Sequence, residues 1–184
     1  MIEFDDGNIN KVLLIGDLHV DAFGGVDYHH NLFEKFMFEV LPEHIHEHGV
    51  DKIVWMGDIF DSRKQPNTNS VRFITECLDR FLSMYREIDI YMITGNHDVY
   101  WKNTNKITSL DYFNMCFNND RIHIIKEPTE MYNMLLLPWI TQDNRDVIME
   151  AVKKSEMEYC LGHFEFSGFK QHKHDTFLSK GMSV

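Results

Sequence analysis

Four short strings carry residues whose types and spacing suit metal-assisted chemistry on a phosphate ester: Gly16-Asp17-Leu18-His19, Gly57-Asp58-Ile59-Phe60-Asp61, Gly95-Asn96-His97-Asp98 and Leu161-Gly162-His163. Each closes an apolar run (Val12–Ile15, Ile53–Met56, Ile90–Thr94, Tyr159–Leu161), so each is expected where a buried strand ends and a loop begins. Carboxylates, imidazoles and an amide are thereby gathered at one edge of a sheet. Two divalent ions about 3.5–4 Å apart need a bridging carboxylate and separate oxygen and nitrogen ligands on each side. Asp58 suits the bridge because its two oxygens offer lone pairs to two ions. Asp17 and His19, two apart on one loop, suit the first ion, and Asn96 and His163 the second. A single Gly-Asp after a strand is an ordinary turn, and a lone histidine is usually a surface or core residue; the weight lies in four such strings after four predicted strands.

The elements that must position these strings alternate. The pattern predicts strand Lys11–Ile15, helix His30–His48, strand Lys52–Met56, helix Asn69–Arg86 and strand Asp89–Thr94. A short helix over Ser109–Cys116 follows, then strands Arg121–Ile125 and Met134–Leu137, helix Arg145–Lys154 and strand Glu158–Leu161. In the second helix Val71, Ile74, Leu78, Phe81 and Leu82 recur at helical spacing, with Arg72, Glu76, Asp79 and Arg80 between them. Strands alternating with helices imply a largely parallel sheet covered on both faces. The turn-like segment Glu127-Pro128-Thr129-Glu130 allows an antiparallel hairpin between the two later strands in place of a crossover. An α/β sandwich of mixed β-sheets flanked by helices accommodates both.

At 184 residues, with 43% hydrophobic residues and no linker or repeat, residues 1–184 are expected to form a single domain with a substantial core. No apolar stretch approaches the ~20 residues needed to span a bilayer. The acidic start, Met1-Ile2-Glu3-Phe4-Asp5-Asp6, lacks the basic region of a signal peptide, so no membrane association and a cytoplasmic location are expected. Three cysteines without CxxC spacing suggest neither a disulfide framework nor a structural zinc site, and Cys160 is expected to be a buried strand thiol. A net charge of −11 argues against gripping nucleic acid by bulk electrostatics. Bound cations would offset part of that acidity.

GDLH, GDIFD, GNHD and GH, in this order and spacing, resemble the calcineurin-like metallophosphoesterase superfamily over residues 11–163. Within it, Gly57–Arg63, Leu137-Pro138-Trp139 and Cys160–Phe169 resemble SbcD-type nucleases, including phage recombination endonuclease subunits that work with an SMC-like ATPase. The resemblance implies a sandwich of two sheets and two divalent ions, Mn²⁺ or Mg²⁺, one held by Asp17, His19 and Asp58 and the other by Asp58, Asn96 and His163. It implies that His97 is not a ligand but a catalytic residue over the scissile phosphate, protonating the leaving oxygen or stabilising its charge. General acid help of that kind is worth ~10²–10⁴-fold. Asp98 would orient the imidazole or cap a loop. Arg63 and Lys64 are candidate substrate-binding residues, with a salt bridge from Arg63 to Asp61 as the competing reading. His29 and His30 lie either on a solvated face or where such a nuclease meets DNA, and Tyr100 and Trp101 either stack on a base or pack in the core.

A fifth string is missing. The family closes its site with Gly-His-x-His on a later strand, one imidazole to each ion, and the sequence reaches Val184 without it. His172 and His174 have the right mutual spacing but no preceding apolar strand and no glycine, and Lys170, Lys173 and Lys180 make the segment read as a basic loop near the substrate. The domain is therefore expected to be C-terminally incomplete, lacking its last strands, with an unpaired sheet edge. A truncated gene product, completion by another chain supplying the ligands, and a degenerate binding protein are the three explanations. The functional expectation is a metal-dependent DNA phosphodiesterase, exo- or endonuclease, acting in recombination or repair with an SMC-like ATPase. The alternatives are a metallophosphoesterase acting on a nucleotide or phosphoprotein, and an inactive metal- or partner-binding module.

Overall fold

Period-two alternation splits the strand side chains between two cores, and that division builds the architecture. The computed structural model describes residues 2–5, 9–117 and 120–168. In chain order its strands are β1 (Ile2–Asp5), β2 (Ile9–Ile15), β3 (Lys52–Trp55), β4 (Asp89–Ile93), β5 (Val99–Trp101), β6 (Thr104–Thr108), β7 (Ile122–Ile125), β8 (Thr129–Met131), β9 (Met134–Leu137) and β10 (Tyr159–Gly162). Its helices are α1 (Asp27–Lys35), α2 (Leu41–His48), α3 (Thr68–Met84), α4 (Asp111–Cys116) and α5 (Arg145–Lys154). One sheet has the order β1-β2-β3-β4-β7, parallel except for β1, and a second has the order β10-β9-β8. Strands β5 and β6 form a separate antiparallel pair.

In the first sheet Ile15, Ile53, Trp55, Ile90, Met92 and Ile122 pack with the helices. Their alternates Val12, Val54, Ile93 and Ile125 meet Met134 and Leu136 of β9, which joins the two sheets face to face. The other face of β9, Leu135 and Leu137, is covered by Ile148 of α5. Burial of each such aliphatic side chain contributes about 1.5–3 kcal/mol.

Helix α3 starts where Asn67 caps it, its side-chain oxygen accepting from Asn69 N at 2.9 Å and Ser70 N at 3.3 Å. Its buried face is Ile74, Cys77, Leu78, Phe81 and Leu82, the spacing expected from the sequence. Residues 36–40 run as a single π-helical segment between α1 and α2, and Leu41 N–H bonds to Phe36 O. Pro42 follows at once and brings no N–H for the carbonyl of Phe38, which accounts for the widened turn.

Three expectations are corrected. The antiparallel hairpin joins β8 to β9 around Tyr132-Asn133, whereas β7 crosses into the first sheet beside β4, so Glu127–Glu130 links sheets instead of closing a hairpin. Cys160 is exposed: on β10 it is Leu161 that turns to the inter-sheet core, and its neighbour points away. His30 is neither solvated nor free for DNA; it is buried, stacks on Phe73 at 4.1 Å between centroids and bonds Ser70 Oγ at 3.0 Å. Among the described residues no helix is long and apolar enough to cross a membrane.

Candidate metal centre

The four strings lie where expected, at the carboxyl ends of β2, β3, β4 and β10, so two sheets contribute to one site. Two hydrogen bonds to main-chain carbonyls fasten the sheets there. Trp139 N–H donates to Thr94 O at 2.7 Å, and the His163 imidazole bonds Met56 O through Nδ1 at 3.0 Å.

The loops carrying Asp17 and Asp58 are zipped together. Leu18 N and His19 N both donate to Asp58 O, at 3.2 and 3.0 Å, and Val20 N donates to Ile59 O at 2.9 Å. His19 and Asp58 both adopt positive φ, +43° and +51°, a costly conformation for residues with a side chain that surrounding bonds must hold in place. Asp98 supplies much of that hold. Fully buried, its carboxylate accepts from Asp58 N at 2.8 Å, Ile59 N at 3.1 Å and Gly95 N at 2.8 Å. Burial pushes its carboxyl up to about 6, with the Asp58 charge adding to the rise and the backbone donors opposing it. Of its two sequence roles Asp98 therefore takes the loop cap, and the His97 ring is held by a different group.

Close approach leaves no room for a side chain at two glycines. A Cβ on Gly57, whose φ is +106°, would stand 2.8 Å from His163 Nδ1 and 2.9 Å from Gly95 Cα. One on Gly95 would collide with the Asp58 carboxylate. Gly16, by contrast, has open space around it, so no steric need explains that glycine.

All five expected ligands converge. Ligand atoms of Asp17, His19 and Asp58 lie within 4.8 Å of one another. On the other side, His163 Nε2 is 2.9 Å from Asn96 Oδ1 and 3.4 Å from Asp58 Oδ2, and His163 Nδ1 is 3.6 Å from Asp17 Oδ1. His19 Nε2 reaches the same Asp58 Oδ2 at 3.9 Å, so one oxygen is common to both groups. A carbonyl only accepts, so the bond to Met56 O places the His163 proton on Nδ1. The lone pair of Nε2 then faces two oxygens, an arrangement of acceptors that fits a cation between them. Asp58 is 3% exposed, and among the described residues no lysine or arginine pairs with it. Buried carboxylates are paired or coordinate metals, and the donor set here suits divalent ions.

Residues 10–179 match the model of the calcineurin-like phosphoesterase family. The chain belongs to that family. It is 25% identical to exonuclease subunit 1 of Enterobacteria phage T4 over 165 residues, covering 89% of the present chain and 48% of the relative, so it spans about half the length of that curated relative. Among solved structures, nuclease MPE of Pseudomonas putida aligns at 16% identity and TM-score 0.43, over 68% of this chain and 52% of that one.

Two residues of this calcineurin-like site escaped sequence reasoning. Asp61 lies in the second string; its carbonyl accepts from His97 Nδ1, and its carboxylate stands 3.2 Å from His19 Nδ1. Asp21, 3% exposed, accepts from Asp61 N at 2.5 Å and from Ser62 N and Asn67 N at 3.4 Å, tying down the loop after β3. The alternation Asp17, His19, Asp21 was the available signal. His97 sits beside the cluster, its ring 5.3 Å from that of His19, and its backbone N–H donates to Asp58 Oδ1 at 2.8 Å.

Arg63 is half-buried and Lys64 exposed, and they line a hollow of about 290 Å³ with Tyr100, Ile107, Tyr112 and Met115. Lys64 Nζ lies 5.4 Å from the centre of the Tyr100 ring. Asp61 faces His19, not Arg63, so the competing salt bridge does not form. Tyr100 and Trp101 are exposed, which removes the core-packing reading for both. A second hollow, of about 410 Å³, is lined by His163 with Trp139, Thr141, Arg145 and Phe164. His172 and His174, with Lys170, Lys173 and Lys180, lie outside the described residues.

Proposed function

We propose that this chain is the nuclease portion of a metal-dependent DNA phosphodiesterase that acts in recombination or repair beside an SMC-like ATPase subunit, using two divalent ions, Mn²⁺ foremost and Mg²⁺ as substitute. The observation that carries the reading is the meeting of both ligand groups on the buried Asp58 Oδ2, with the lone pair of His163 Nε2 facing that oxygen and Asn96 Oδ1. Asp17, His19 and Asp58 would hold one ion, and Asp58, Asn96 and His163 the other. When bound, such ions lower the pKa of water toward neutrality and take up charge on the phosphoryl oxygens.

The protein's own groups divide the remaining work. The Asp61 carbonyl fixes the His97 proton on Nδ1, so Nε2 faces outward and gives a proton to the leaving oxygen only from the imidazolium form. Asp98 and Asp21 act through the loops, the first holding Asp58 at its positive φ and the second holding Asp61. Arg63 and Lys64 give local positive charge in a chain of net charge −11, and exposed Tyr100 beside them offers a face on which a base stacks. A groove combining cations with aromatics suits a strand of nucleic acid more than a small phosphomonoester. The T4 relative is named as an exonuclease subunit, which supports both the substrate class and the partner.

The test compares Mn²⁺-stimulated hydrolysis of single-stranded DNA, duplex ends, bis-p-nitrophenyl phosphate and p-nitrophenyl phosphate. Diesters are expected to be cleaved and the monoester not. Preference for the monoester would favour a phosphatase acting on a nucleotide or phosphoprotein. Because the chain spans 48% of its relative, the same assay is run with a fragment carrying Gly-His-x-His added. Absence of hydrolysis in both arms would leave only the inactive binding module.

A further inference from the structure

The last turn of α2 holds a second group of metal-ligating side chains, outside the four strings of the centre. Three of the eleven histidines of the chain fall within Glu43-His44-Ile45-His46-Glu47-His48. Leu41 and Ile45 are the buried residues of this helix, while His44 and Glu47 are exposed and His48 is partly so. His44 and His48, four apart, share one face, and their rings stack at 6.0 Å between centroids with planes only 11° apart. Glu47 adds a carboxylate 3.7 Å from His48 Nε2, and one ligand atom from each of the three lies within 4.8 Å of the other two. No part of this trio is used in the core.

We infer that His44, Glu47 and His48 form a surface site for a borderline-soft divalent ion of the Zn²⁺ class, distinct from the oxygen-rich centre at the strand ends. Two imidazoles and a carboxylate match the ligand types of three-ligand zinc sites, which keep the fourth position for water. The exposed side chains need only rotamer adjustment to bring nitrogen and oxygen to about 2.0–2.2 Å from one ion. Position adds to the attraction. Helix α2 ends at Gly49, whose φ is +65°, and the last-turn carbonyls present partial negative charge to a cation there. Imidazole-rich sites rank Cu²⁺ and Zn²⁺ far above Mn²⁺, so the two sites sort ions by ligand chemistry.

The experiment is a Zn²⁺ titration of untagged protein in the Asp58→Asn background, which weakens the strand-end centre and leaves α2 intact, followed by competition with a chromophoric chelator and by histidine ring NMR. One Zn²⁺ is expected to perturb the His44 and His48 ring signals. Either His44→Ala or His48→Ala should weaken that binding by roughly 10²-fold, because chelation by linked ligands is lost. Exposed substitutions of this kind leave the core untouched, so circular dichroism should match the parent. Equal Zn²⁺ affinity in the parent and the two alanine variants would overturn the inference, as would Zn²⁺ shifts confined to His19, His97 and His163. Failure of the nuclease reading would leave this result unaffected.

Discussion

Asp98 offers the sharpest test of how the site is built. Its carboxylate accepts three buried backbone N–H groups, from Asp58, Ile59 and Gly95, and Ser109 Oγ at 3.4 Å. Asp98→Ala strips all three N–H groups of their acceptor. A buried donor left unsatisfied costs about 1–3 kcal/mol, so the loss should reach roughly 3 kcal/mol even at the low end. That is a large part of the roughly 5–15 kcal/mol that holds a domain together. Asp98→Asn is milder. The amide oxygen can keep the Asp58 and Gly95 donors that now share Oδ2, while its NH₂ opposes Ile59 N–H and Ser109 Oγ turns to accept. One lost N–H bond at about 1–3 kcal/mol is partly offset because no charge need be buried, which burial alone shows to be costly in the raised carboxyl. Urea unfolding at neutral pH should therefore rank wild type at or above Asp98→Asn and both well above Asp98→Ala. Asp98→Ala as stable as wild type would refute the cap, and with it the explanation of the positive φ at Asp58.

Further outcomes follow from other contacts. Burial holds the His30 imidazole below its usual 6.5, so as pH falls through that value the unfolded chain takes up a proton before the folded one does, and stability drops. His30→Gln should flatten the fall in unfolding free energy between pH 7.5 and 5.5 by up to about 1.4 kcal/mol per pH unit; an unchanged slope would contradict it. Gly57→Ala should cost about 1–3 kcal/mol from its φ alone, and its Cβ should displace His163, seen as weakened Mn²⁺ binding in calorimetry. Maleimide labelling followed by mass spectrometry should modify exposed Cys116 well before Cys77, whose thiol burial pushes up to about 11; early labelling of Cys77 would contradict its packing in α3.

The strand ends and five candidate ligands were legible because each lies in a string whose apolar run and following glycine announce a buried strand meeting a loop. Helix α3 was legible from its apolar residues at helical spacing, Ile74, Leu78, Phe81 and Leu82, which form its buried face. Strands β5, β6 and β8 were not: they are three to five residues long, Tyr100, Trp101 and Ile107 are exposed, and the buried positions of β6 are the polar Thr104, Asn105 and Thr108, so no apolar alternation marks them. Cys160 misled because an apolar neighbourhood in sequence does not reveal which side of β10 faces the core. Asp21 and Asp61 escaped because these roles run through backbone N–H and C=O groups and join residues 40 and 36 positions apart, which side-chain chemistry read along the chain does not register. The choice between cap and imidazole partner for Asp98 likewise needed the fold.

The central claim is a two-ion centre bridged by Asp58. Electron paramagnetic resonance of the chain titrated with Mn²⁺ tests it most directly. The account predicts two bound ions giving the multiline spectrum of a coupled pair, with the coupling abolished and affinity lowered roughly 100-fold or more in Asp58→Asn. Only isolated Mn²⁺ signals in the wild type, or a spectrum that Asp58→Asn leaves unchanged, would contradict it.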